Sequence, residues 1–138
     1  MIHINDGSCK KCQSIIDKFP DFNSDLREWF EQQQAEYPAF HCSDAGRGRI
    51  EQETYFNRQA SKAHYGESSH NYGCGIDTFW LISGKYNVDV ELYKKYIQPT
   101  LPEFIFWGFN WVSFPETPHF EIKNWKELVT EHLVSLVE

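Results

Sequence analysis

Long apolar runs are missing from this chain of 138 residues: no stretch approaches the roughly 18–20 continuous apolar positions of a membrane span. A mean hydropathy of −0.58 agrees. Positive charge is also scarce, with 13 basic against 20 acidic residues, a net charge of −7 and an isoelectric point near 5.3. Nucleic acid, which needs a positive face for its phosphates, is therefore not an expected partner, and neither is a membrane surface. Met1 to Lys18 has neither a basic start nor an apolar h-region, so no signal peptide is expected. The four cysteines (Cys9, Cys12, Cys42, Cys74) read as thiols rather than bridges in such a chain. Repeats, low-complexity tracts and linkers are absent as well. Residues 1–138 are expected to form one domain, and a monomer.

Aromatic residues are plentiful, at 17% of the chain, and their spacing organises it. Cys9 to Phe19 is a short helical candidate that stops at Pro20. Asn23, Ser24 and Asp25 can cap a second helix whose Leu26, Trp29 and Phe30 share a face up to Pro38. Ile50 to Ala60 fits a third. Ser61 to Gly75 is rich in Ser, Gly and His and reads as a long functional loop. Ile76 to Ile82 is β-branched and aromatic, a buried strand closed by Ser83-Gly84. Asp89 can start a helix carrying Leu92, Tyr93, Tyr96 and Ile97; Phe104 to Trp107 and Phe120 to Ile122 fit short strands. The C-terminus shows the clearest helix: Asn124 and Glu127 form a capping-box pair ahead of an apolar stripe of Trp125, Leu128, Val129, Leu133, Leu136 and Val137. His132 falls on that stripe and reads as a core histidine. Helices around a small sheet, without βαβ alternation, indicate an α+β fold.

Two segments concentrate reactive side chains. In Ser68 to Asp77 (SSHNYGCGID) a histidine and an aspartate lie seven apart. An unbroken strand would put them on opposite faces, so Gly73 and Gly75 are where the backbone must bend for His70 and Asp77 to converge. In Pro115 to Glu121 (PETPHFE), Pro118 forces Thr117 toward extended geometry. Glu116 then sits in a tight loop and His119 opens a strand, which differs from the helical HExxH arrangement. Two His and one carboxylate are a recurrent catalytic zinc set, and a further carboxylate can act as base. Two histidines that serve only the surface or core remain the alternative. Cys9-Lys-Lys-Cys12 has CxxC spacing but no second pair, leaving two plain thiols or a small metal or redox site. Cys74 is an alternative nucleophile, and His64 a solvated loop histidine.

These two segments resemble the zinc DD-peptidase family of D-alanyl-D-alanine carboxypeptidases, vancomycin-resistance dipeptidases and phage L-alanyl-D-glutamate endopeptidases. Its S-x-H-x-x-G-x-A-x-D followed by [ED]-x-x-H is matched by Ser68 to Asp77 and by Glu116 to His119. Trp107 to Phe114 (WGFNWVSF) resembles the W-G-x-x-W-x-S-F run of phage-type members, and Arg47 with Gln52 resembles the upstream Y-R-S/T…Q segment. The similarity covers about Ser43 to Ile122. Gly75 stands where the family usually has Ala, a small-for-small change, and Gly46 replaces the aromatic before the arginine. The resemblance implies a small antiparallel sheet flanked by helices, hedgehog/DD-peptidase-like, with zinc as cofactor. It makes His70, Asp77 and His119 the ligands, Glu116 the general base, Arg47 the group polarising the scissile carbonyl and Ser68 a substrate contact. Arg49 is the alternative to Arg47. The implied partner is the peptidoglycan stem peptide. Only Arg47, Arg49 and Arg58 lie near the motifs, too few for a pocket that captures a terminal carboxylate. Glu116 resembles the carboxypeptidase and dipeptidase branches, but the W-G-x-x-W-x-S-F resemblance and the missing export signal imply an L-alanyl-D-glutamate endopeptidase of phage lysis type, held in the host cytoplasm and acting on the cell wall after release. D-alanyl-D-alanine carboxypeptidase and a non-catalytic zinc-bearing wall-binding or virion module are the alternatives.

Overall fold

The computed structural model describes residues 23–137. Cys9, Cys12 and the helix expected over Cys9 to Phe19 lie outside the described residues. In chain order the elements are helix α1 (Ser24–Glu36), strand β1 (Phe40–Asp44), helix α2 (Arg49–Asn57), a 3-10 turn (Ser69–Tyr72) and strands β2 (Gly75–Ile82) and β3 (Lys85–Asn87). A short helix α3 (Val90–Leu92) then winds through a wider π turn at Tyr93–Ile97 into a 3-10 turn at Gln98–Thr100. Strand β4 (Ile105–Trp107), a 3-10 turn (Gly108–Asn110), strand β5 (His119–Ile122) and helix α4 (Trp125–Thr130) complete the fold. This is the α+β class expected from the sequence.

All pairings in the five-stranded sheet are antiparallel, in the order β1-β2-β5-β4 with β3 added to β2. One edge of β2 carries β1. The other is shared, with β5 opposite Gly75 to Asp77 and β3 opposite Trp80 to Ile82. Along β2, Ile76, Thr78 and Trp80 are buried while Asp77 and Phe79 alternate to the opposite face. The buried face packs under α1, whose Leu26, Trp29 and Phe30 are at most 4% exposed. Trp29 meets Phe120 with ring centroids 5.0 Å apart, and Phe30 meets Phe40 at 5.6 Å. Tyr93 sits at the centre among Phe40, Trp80, Trp107 and Phe120, and its hydroxyl lies 3.0 Å from Thr78 Oγ1. Tyr93 and Ile97, at the two ends of the π turn, are both fully buried in this core.

Asn23 starts α1 as expected, its Oδ1 accepting from the Asp25 and Leu26 amides at 3.0 and 3.2 Å. The C-terminal helix differs from expectation. It stops after Thr130, and Asn124 makes no side-chain cap. His132 takes a left-handed φ of 59°, while the Leu133 and His132 amides donate to the carbonyls of Leu128 and Val129 at 2.8 and 3.1 Å. That double closure is a Schellman stop with histidine in the place glycine usually fills. The apolar stripe is cut there, leaving Leu133 67% exposed, and His132 is a surface residue and not part of the core. The chain then returns: Val137 is buried, its amide donates to Asn71 O at 2.6 Å, and its carbonyl accepts from Tyr65 Oη at 2.6 Å.

Candidate metal centre

Directly opposed residues in an antiparallel ladder share a face. Asp77 on β2 and His119 on β5 are such a pair, and both lie on the face away from the aromatic core. His70 comes from the 3-10 turn before β2. Gly73, at φ 68°, ends that turn in a left-handed conformation, so the bend expected from the two glycines is made at Gly73. The Arg47 amide donates to His70 O at 3.0 Å and ties the turn to the segment after β1. Ligand atoms of His70, Asp77 and His119 all lie within 4.8 Å of one another, the one such group of His, Cys, Asp or Glu among the described residues.

The hydrogen bonds around the two imidazoles select which nitrogens face inward. His70 Nδ1 lies 2.9 Å from the carbonyl of Ala45, which can only accept. Its other nitrogen, Nε2, sits 3.3 Å from Asp77 Oδ1. His119 is turned the opposite way: Nε2 faces Glu121 Oε1 at 2.8 Å and Nδ1 faces Asp77 Oδ1 at 2.9 Å. Each ring thus has one nitrogen against an acceptor behind it and turns the other toward the same carboxylate oxygen of Asp77. Two nitrogens and an oxygen converging in this way fit a single first-row dication. The electrostatics agree. Burial alone would lower the His119 pKa, yet Asp77 and Glu121 raise it to about 10. Burial would raise Asp77, but His70 and His119 hold it well below the carboxylate range. Positive charge is favoured at this point of the protein.

The other residues singled out in the sequence line the same cleft, a cavity of about 570 Å³ that includes Arg47, Ser68 and Glu116. Arg47 is 8% exposed. Its Nε and Nη2 reach Asp44 Oδ2 at 2.9 and 2.8 Å, Nη1 reaches Gln52 Oε1 at 3.1 Å, and Nη2 lies 3.5 Å from Asp77 Oδ2. The guanidinium lies 4.5 Å from the centroid of the Tyr55 ring. Of its five N–H groups, these contacts leave one unused. Arg49 instead lies over Tyr65, at 4.6 Å. Ser68 caps the 3-10 turn, accepting from the His70 amide at 3.3 Å. Glu116 is held at its backbone, its amide donating to Gly108 O at 3.0 Å and its carbonyl accepting from His119 N at 3.3 Å. Gly108 is required here, since a Cβ would lie 2.9 Å from Glu116 O. Burial raises the Glu116 carboxyl pKa, helped by Asp77 and opposed by His119, His70 and Arg47.

Some expectations are corrected. Cys74 is fully buried, its thiol pushed up to about 12 by burial and then Glu121. It has no thiolate to offer as a nucleophile near neutral pH. Gly75 is not an indifferent small residue: a Cβ there would lie 2.3 Å from Ser69 Oγ and 3.1 Å from His119 Cε1. His64, by contrast, is the solvent-facing loop histidine expected, half-exposed and 2.9 Å from Glu53. Sequence reading missed Asp44, which holds Arg47, and Glu121, which holds His119. The latter had a signal: two residues on from His119 in an extended segment is the same face. Lys62 and Lys126 also line the cleft, the basic groups that a count of arginines alone overlooks.

No protein-family model matches the chain. Among solved structures, the fold is similar to that of the Serratia marcescens L-Ala D-Glu endopeptidase ChiX, with a TM-score of 0.68 and 16% sequence identity over 89% of this chain and 97% of that one.

Proposed function

We propose that the protein is a zinc metallopeptidase that hydrolyses a peptide bond in the bacterial peptidoglycan stem peptide, at the L-alanyl-D-glutamate position, and that it serves as an endolysin. One observation carries the reading: His70 Nε2 and His119 Nδ1 both face Asp77 Oδ1, at 3.3 and 2.9 Å, with their other nitrogens engaged by Ala45 O and Glu121. The likeness of fold to an L-Ala D-Glu endopeptidase supports the substrate class. No helix among the described residues is long and apolar enough to cross a membrane. Waiting in the host cytoplasm and reaching the wall after release is part of the proposal.

His70, Asp77 and His119 would hold the zinc, which when bound supplies Lewis acidity and lowers the pKa of water to about 7. Glu116 is the base: its half-buried carboxylate makes no hydrogen bond or ion pair with another described residue, so it is free to take the proton of the attacking water and pass it to the leaving amine. Arg47, fixed by Asp44 and Gln52, turns its remaining N–H toward the carbonyl oxygen as negative charge grows there. Ser68, at the cleft wall, contacts the peptide.

The test has two parts. Elemental analysis should give one zinc per chain, and alanine at His70, Asp77 or His119 should lower zinc content and activity together. Digestion of purified peptidoglycan, followed by mass spectrometry, should yield new N-terminal D-glutamate. Release of free D-alanine alone would replace the endopeptidase reading with a carboxypeptidase, and intact wall with zinc bound would leave a binding module.

A further inference from the structure

Glu121 is tied down more firmly than a surface carboxylate on a short strand needs to be. Its side chain is 13% exposed and both oxygens are used: Oε1 meets His119 Nε2 at 2.8 Å, and Oε2 accepts from Trp125 Nε1 at 2.9 Å. An indole nitrogen can only donate, and an ionised carboxylate can only accept. Trp125 opens α4 and is itself buried against Tyr72, with ring centroids 5.8 Å apart. Tyr72 closes the 3-10 turn that carries His70. Trp111 stacks on the His119 ring at 5.0 Å, which fixes the ring's plane but not which nitrogen faces Asp77. Only a hydrogen bond at one end of the ring can decide that.

We infer that Glu121 is a positioning residue for the metal centre: anchored by Trp125, it holds the Nε2 proton of His119 and so keeps Nδ1 aimed at the site shared with His70 and Asp77. The inference rests on the proposal that these three residues bind the metal. Glutamine at this position has the right shape but the wrong chemistry. Its amide offers one acceptor where two donors point inward, so either one of the His119 and Trp125 contacts is lost or the His119 proton shifts to Nδ1, and both outcomes disturb the nitrogen aimed at the site. Outer partners of this kind are worth about 10–100-fold in metal affinity.

The experiment uses the full chain and measures the dissociation constant for Zn²⁺ by competition with a chromophoric chelator. The visible absorption of the Co²⁺ form reports ligand geometry. Glu121→Gln should weaken Zn²⁺ binding about 10–100-fold and change the Co²⁺ spectrum, with far-UV circular dichroism unchanged. Trp125→Phe keeps the packing and removes one anchor, so binding should weaken about two- to tenfold. A purely structural Glu121 would lower thermal stability and leave the Zn²⁺ constant alone. Zn²⁺ constants within twofold of wild type for both variants overturn the inference while leaving the metal site intact. A wild-type chain whose Zn²⁺ binding is absent, or indifferent to His119→Ala, overturns the metal site and the inference together.

Discussion

Replacing Gly75 by alanine measures how closely the candidate metal centre is packed. The added methyl would stand 2.3 Å from Ser69 Oγ, 3.1 Å from His119 Cε1 and 3.2 Å from the His70 amide nitrogen. Non-bonded atoms are comfortable at about 3.5–4.0 Å, so the Ser69 hydroxyl must move by roughly 1 Å. Ser69 is 3% exposed and its Oγ already lies 3.5 Å from His119 Nε2, so that space is occupied. Forcing an extra methyl into a filled site costs about 1–3 kcal/mol. For a chain of this size that is a Tm lower by about 3–10 °C. Because the crowded atoms belong to both histidines, Zn²⁺ affinity should fall as well. Ser69→Ala removes the nearest atom and leaves the two milder contacts, so the double variant should recover most of the loss. Urea unfolding of the metal-free single and double variants gives the coupling energy, expected at about 1–2 kcal/mol. A Gly75→Ala protein as stable as wild type, or losses that simply add in the double variant, would refute the packing argument.

Glu116→Gln should retain zinc and lose about 10²–10⁴-fold in turnover on purified peptidoglycan; unchanged turnover removes Glu116 from the chemistry. Folding raises the Glu116 pKa above its unfolded value, so the native state holds this proton more tightly. The stability it contributes therefore falls as pH rises through that window, and at neutral pH the ionised side chain is a cost. The metal-free Glu116→Gln protein should then be at least as stable as wild type at pH 7, with the two converging below the unfolded glutamate pKa; a less stable variant at pH 7 contradicts this sign. Carbon-detected NMR of the metal-free protein should show Glu116 titrating above the ordinary glutamate range, for the same reason. Thiol alkylation of the native protein should leave Cys74 unmodified, checked by peptide mass mapping, since its thiol is buried and pushed up to about 12.

Local sequence determined the elements whose signals are local. Asn23 ahead of Leu26, Trp29 and Phe30 specified α1, and the β-branched and aromatic run from Ile76 specified β2. The glycines around Cys74 marked the bend, and Pro118 kept Glu116 and His119 out of a helix. The grouping of His70, Asp77 and His119 was legible through the resemblance of the two segments to a known motif pair; their spacing alone left ordinary histidines as the alternative. Strands β1 and β3 were not: Phe40–Asp44 and Lys85–Asn87 have little strand character alone and become strands because β2 offers both its edges. The end of α4 escaped for a different reason. The apolar periodicity runs on past Thr130, but His132 adopts a left-handed backbone that its identity does not demand. Tertiary structure alone decided which nitrogens of the two histidines face Asp77, because Ala45 O and Glu121 lie behind them. It likewise decided that Asp44 and Gln52 hold Arg47, and that Gly75 must stay bare. Those facts depend on distances between segments brought together by the sheet, and a linear pattern holds no such distances.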